Sequence, residues 1–280
     1  MNQHQHSEPY VGKSLSEKTF VVTDGLLHDF YLGLDLPPLA AGLVPTAIVG
    51  EPDNSYFTEI AYPYQTGHLW LRQQLKLYMP MEKDITYEVN GSIEEIYTKR
   101  DRNVVHYGIT VSDSDGTKMV ESNHHQSFLA EAISGNSVEF RKPKDKPGAR
   151  RFEVPQGQEF GGLHRKVTRE MCGVFFHGDQ NYHTSKSSAQ QLGFDDVVVG
   201  GRMTLAYTSR VLEDFFGSHW WRSGELDLKF TNPVWCDDDL YVRGVVTGPH
   251  PTRTEALHCR VWIEKQDGTI ALVADASVLA

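Results

Sequence analysis

With 280 residues, 39 % hydrophobic and 23 % charged, the chain has apolar material for two domains, and its composition excludes wholesale disorder. A net charge of −10, with one basic cluster from Arg141 to Arg151 diluted by prolines, gives no footprint for a polyphosphate, so no nucleic-acid partner is expected. Three scattered cysteines without a CxxC pair, no apolar run near the roughly 18 residues of a membrane span, and an N-terminus lacking a signal-peptide core predict a soluble, cytoplasmic protein with no membrane partner.

In chain order, TYEVNGSIEEIYTK (Thr86–Lys99) alternates as a half-buried strand does. Asp115-Gly116 then marks a tight hairpin turn, where positive φ is needed. The strand that follows carries His124-His125. Adjacent strand residues face opposite sides, so one metal cannot readily take both, and a surface or interface role is expected. Gly135–Gln158, rich in Pro, Gly and charge, is read as a linker. Cys172 is expected on a strand, with no base nearby to make it a nucleophile.

The stretch HGDQNYHTSKSSAQQLGF (His177–Phe194) crowds Asp179, Asn181 and His183 just before a short helix over Ser185–Leu192. This is either a reaction centre or a polar turn in which Asn181 or Thr184 caps that helix. Gly200-Gly201 follow, and then Leu205, Thr208, Val211, Leu212 and Phe215 at helical spacing, with Gly217 where a C-cap falls. Trp220-Trp221 are expected in the core or at a tunnel mouth. Asp237-Asp238-Asp239 suggests a cation site, but a solvated turn is favoured. Asp267-Gly268 marks a second hairpin before the final strand.

The chain repeats itself once. Pro80 and Pro233 stand 153 positions apart, Asp115 and Asp267 152, and Ser127 and Ser277 150. Three landmarks at nearly the same offset predict two copies of one α+β architecture, each a long helix against an antiparallel sheet.

The second half resembles the MaoC-like dehydratases, also called R-specific enoyl-CoA hydratases, which are built as hotdog folds. The likeness rests on Gly178-Asp179-Gln180-Asn181-Tyr182-His183, then Ala189, Gly193-Phe194 and Val198-Val199-Gly200-Gly201, and on LDLKFTNPVWCDDDLYVRG downstream. The loop is one residue shorter between Asn181 and His183 than the family pattern, and Gly200 stands where histidine is common. The resemblance implies a double hotdog: a degenerate N-terminal hotdog over 1–134, a linker over 135–158, and a hotdog carrying the active site over 159–280. It implies a hydro-lyase of fatty acid metabolism that reversibly hydrates a 2-enoyl thioester, with an acyl-CoA or acyl carrier protein thioester as partner. Asp179 and His183 would be the catalytic pair holding a water. Asn181 would orient the loop or the water, and the backbone of Gly200 and Gly201 would meet the thioester oxygen. The first half would lend tunnel space to the acyl chain. No cofactor or metal is implied, and a homo-oligomer is left open. A hotdog thioesterase and a non-catalytic acyl-thioester-binding subunit are the alternatives.

Overall fold

The computed structural model describes residues 8–40, 42–62, 68–130, 152–178 and 180–279. Most of the expected linker therefore lies outside the described residues. Among the described residues, ten antiparallel strands form one sheet. The first half supplies β1 (Lys18–Val21), β2 (Leu69–Leu77), β3 (Thr86–Lys99), β4 (Arg102–Ser112) and β5 (Lys118–Leu129). The second supplies β6 (Gln158–Lys166), β7 (Glu225–Phe230), β8 (Asp239–Pro249), β9 (Ala256–Lys265) and β10 (Ile270–Leu279).

Their order, β1-β3-β4-β5-β2-β7-β10-β9-β8-β6, reads the same from either edge once each strand is exchanged for its counterpart. The repeat in the sequence is thus a pseudo-twofold in the sheet. Its axis runs between β2 and β7, which pair from Arg72↔Lys229 to Lys76↔Glu225. Arg72 clamps Asp227 across that seam with two bonds of 2.6 and 2.7 Å, the forked geometry in which guanidinium and carboxylate match best. Both Asp-Gly hairpins form where expected, with Gly116 at φ 79° and Gly268 at φ 78°.

The helices are α1 (Asp24–Leu34), α2 (Gly50–Asn54), α3 (Phe57–Ile60), α4 (Arg169–Phe175), α5 (Lys186–Gln191), α6 (Gly201–Phe216) and α7 (Ser218–Ser223). From Arg202 to Glu213, α6 buries every residue but Arg210, as a helix wrapped by a sheet must, and Gly217 closes it. The first half departs from the expectation of one long helix. Its counterpart is a 3-10 turn at Thr46–Val49 followed by α2 and α3. Gly50, Pro52, Asn54 and Ser55 explain the break: glycine costs backbone entropy, proline withholds an N–H, and the polar pair competes for backbone bonds.

The second half grips this broken segment. Buried Glu213 accepts bonds from both the N–H and the hydroxyl of Thr46, at 2.7 and 2.8 Å. Trp220 donates to the Thr46 hydroxyl at 3.1 Å and Trp221 to the Val44 carbonyl at 2.7 Å, so the tryptophan pair is core, not tunnel mouth.

Three further expectations change. Cys172 lies on helix α4, not on a strand. His124 and His125 are buried, at 2 % and 4 % exposure, not on a surface. His124 bonds Asp53 at 2.6 Å and stacks on Trp70 at 4.3 Å, while His125 stacks on His106 at 4.0 Å; they face opposite sides, as strand geometry requires. Finally, Asp238 is a buried turn anchor, not solvated. It accepts the Trp235 N–H at 2.8 Å and pairs with Lys265 at 2.7 Å. Among the described residues, no cluster of three or more His, Cys, Asp or Glu is placed to hold a metal.

Candidate active site

The loop between α4 and α5 is shaped by its own polar side chains. Helix α4 ends as His177 adopts a φ of 52° and Gly178 one of 146°, turning the chain sharply. The Asn181 side chain then works in both directions: its amide donates to the Gly178 carbonyl at 3.0 Å, and its oxygen accepts the His183 N–H at 2.8 Å. This is an Asx turn, which positions His183 through the backbone. Both bonds lie within the loop itself. Neither Asn181 nor Thr184 caps α5; Ser185 does, accepting the Ser188 N–H at 3.4 Å. Asp179 lies outside the described residues.

His183 is 8 % exposed. Its ring lies between Phe176 and Tyr182, with centroids 4.0 and 3.9 Å away. Nδ1–H donates to the Val198 carbonyl at 2.7 Å, which fixes the tautomer and leaves the lone pair on Nε2. Burial pushes the imidazole down to about 3; the Val198 bond opposes this, and the positive charge of Arg202 and proximity to His68 reinforce it. The ring is therefore neutral at neutral pH.

Gly200 and Gly201 bring the N-terminus of α6 against this ring. A Cβ on Gly200 would clash with Phe176 Cζ and stand 3.0 Å from His183 Cε1. One on Gly201 would stand 2.6 Å from Trp70 Cε3 and 3.2 Å from Phe230. Gly200 has φ −68° and ψ 144°, an ordinary extended conformation, so the turn does not need positive φ. Close aromatic packing is what excludes side chains here. No side chain caps α6, so its first N–H groups lack a side-chain acceptor, and the positive end of its dipole lies beside the histidine.

Sequence reasoning missed two contributors. Arg202, the second residue of α6, is buried, bonds Glu51 of the first half at 2.5 Å, and lies over the Phe175 and Phe176 rings at 5.1 and 5.2 Å. His68, just before β2, faces Tyr182 edge-on with centroids 5.4 Å apart and Nε2 3.5 Å from its hydroxyl. The only signal for Arg202 was its place after Gly200-Gly201 at the helix start. Nothing in the sequence tied His68 to a loop 114 positions away. Both halves thus line the site.

Residues 152–262 match the family model of the MaoC like domain. No curated protein matches the sequence significantly. The fold is similar to that of a MaoC-like dehydratase from Phytophthora capsici (TM-score 0.71, 14 % identity, 96 % of this chain and 97 % of that one). It is similar to full-length peroxisomal multifunctional enzyme type 2 from Drosophila melanogaster (TM-score 0.68, 17 % identity, 95 % of this chain), about half of whose length, 48 %, it spans. A double-hotdog protein from Mycobacterium tuberculosis essential for survival during infection gives a TM-score of 0.63 at 12 % identity, over 96 % of both chains.

Proposed function

We propose that this chain, whose residues 152–262 match the MaoC like domain and whose fold is a double hotdog, reversibly hydrates a 2-enoyl thioester, with acyl-CoA as the thioester carrier. The observation that carries this reading is the neutral His183 seated against the uncapped N-terminus of α6, with its Nε2 lone pair left by the Val198 bond. Hydration needs a base for water and a cradle for negative charge on the thioester oxygen, and these two features supply them together.

In this mechanism the water oxygen bonds to C3 while Nε2 of His183 takes one proton. Charge collects on the thioester oxygen, where the Gly201 N–H and the helix dipole receive it. As the enolate collapses, the imidazolium returns its proton to C2, so one water adds in all. Asp179 holds the second hydrogen of the water. The first half closes the site through His68 and the Glu51–Arg202 pair, and we extend this to the division of the chain into hotdogs over 1–134 and 159–280.

Incubation with crotonyl-CoA and, separately, butyryl-CoA tests the proposal. Loss of the enoyl absorbance with crotonyl-CoA, without thiol release from butyryl-CoA, is expected. Thiol release from the saturated substrate would replace this reading with a thioesterase, and no change in either would leave a binding role.

A further inference from the structure

Cys172 and Cys236 are 64 positions apart in sequence, yet their sulfurs stand 4.0 Å apart. Cys172 is fully buried on α4, where its thiol also touches the Met203 sulfur at 3.8 Å. Cys236 is half-buried in the turn before β8 and opens on a cleft of about 380 Å³ that Arg169, Asp196 and Trp235 help to line. One thiol is thus reachable by a small reagent and the other waits behind it.

We propose that Cys236 is an oxidation site for small hydroperoxides, with Cys172 as the resolving thiol that closes a disulfide. The environment divides the roles. The Cys236 thiol is held below its ordinary value, chiefly because Cys172 hydrogen-bonds it and secondarily because Arg169 is near, against burial and the carboxylates of Asp237 and Asp196. The Cys172 thiol is pushed well up by its bond to Cys236 and by burial. The Cys236 thiolate attacks the peroxide: an S–O bond forms, the O–O bond breaks, and the departing oxygen takes a proton as water or alcohol. The Cys172 sulfur then attacks the sulfenic sulfur. The S–S bond forms, the S–O bond breaks, and the hydroxyl leaves with the Cys172 proton as a second water. Two thiols are oxidised and one peroxide is reduced.

Closing the pair draws the sulfurs together by about 2 Å, and both cysteines lie one contact from the His183 cradle. The Cys172 carbonyl accepts the N–H of Phe176, whose ring stacks on His183. Cys236 donates its N–H to Val197, and Val198, the acceptor of the imidazole proton, pairs with Trp235. Disulfide formation therefore shifts the histidine seat from both sides.

The test treats the full chain with hydrogen peroxide and analyses it unreduced by mass spectrometry, with NMR of the histidine rings in parallel. Expected are a loss of about 2 Da, a linked Cys172–Cys236 peptide reversed by dithiothreitol, and reaction at least about tenfold faster than at Cys259, whose thiol burial pushes up to about 12. Cys236→Ser should abolish the mass loss, and Cys172→Ser should leave a trappable sulfenic acid on Cys236. The His183 resonances should move on oxidation of the wild type and stay put in Cys236→Ser. A Cys236 that stays reduced, or goes on to sulfinic acid without linking, overturns the site. A link that leaves the His183 resonances unmoved overturns the coupling. Neither readout depends on any substrate.

Discussion

The Nδ1–H of His183 donates to the backbone carbonyl of Val198 at 2.7 Å, across 15 positions of sequence. This bond joins the polar loop after α4 to the segment that leads into α6. Because burial holds the ring near 3, His183 stays neutral through the range where a free histidine, near 6.5, would titrate. The sign follows: an unfolded His183 gains a proton below about 6.5 that the folded one refuses, so its contribution to stability is full above that pH and falls as pH drops toward 3. The ring resonances of His183 should not titrate between about pH 8 and 5. A midpoint near 6.5 would refute the buried, neutral state.

Glu213 should behave in the opposite sense. Burial raises its carboxyl to about 7 despite the two bonds from Thr46. The folded state therefore holds a proton that the unfolded state loses from about 4.5 upward, and stability declines as pH rises through that window to about 7. Glu213→Gln keeps an acceptor for Thr46 without the charge. It should raise the melting temperature at pH 8 and flatten its pH dependence, by an amount on the order of a few kcal/mol. An unchanged profile would show that Glu213 does not carry this effect.

Gly201→Val should destabilise the protein. The added carbon would meet Trp70 at 2.6 Å and Phe230 at 3.2 Å, and Trp70 in turn stacks on the buried His124. Overpacking of this kind costs about 1–3 kcal/mol, read as a lower melting temperature. The family resemblance implied room for a thioester oxygen as the reason for glycine here; the rings give a second reason. A valine variant of unchanged melting temperature would mean that the aromatic packing gives way freely.

The hairpins, the repeat and helix α6 were legible because each rests on local chemistry: Asp-Gly turns, landmarks at nearly the same offset, apolar residues at helical spacing. The loop motif singled out His183, which the fold buries beside Phe176 and Tyr182. What the sequence did not disclose depends on contacts between distant segments. Arg202 finds Glu51 across 151 positions, and Cys172 meets Cys236 only when α4 packs beside the turn before β8. His124 looked like surface because its burial is made tolerable by Asp53, which lies 71 positions away. The repeat predicts a long helix in the first half too, but Gly50 and Pro52 break it there.

The halves should not survive separation. Expressing residues 152–280 alone strips β2 from β7 and leaves Asp227 without Arg72. It also exposes the apolar flank that Trp220 and Trp221 bury. An unpaired strand edge beside apolar surface should give aggregation or a forced dimer. A monomeric, folded fragment at micromolar concentration would contradict this.

The most direct test of the proposed chemistry compares the crotonyl-CoA hydration rates of the wild type, His183→Gln and Asp179→Asn, with melting temperatures measured alongside. Glutamine fills much of the imidazole volume and can still donate to the Val198 carbonyl, but it offers no nitrogen that can take a proton. The account predicts measurable wild-type hydration, a loss of at least about 100-fold in each variant, and near-native melting temperatures. Retention of most activity in His183→Gln, on a substrate the wild type turns over, would contradict it.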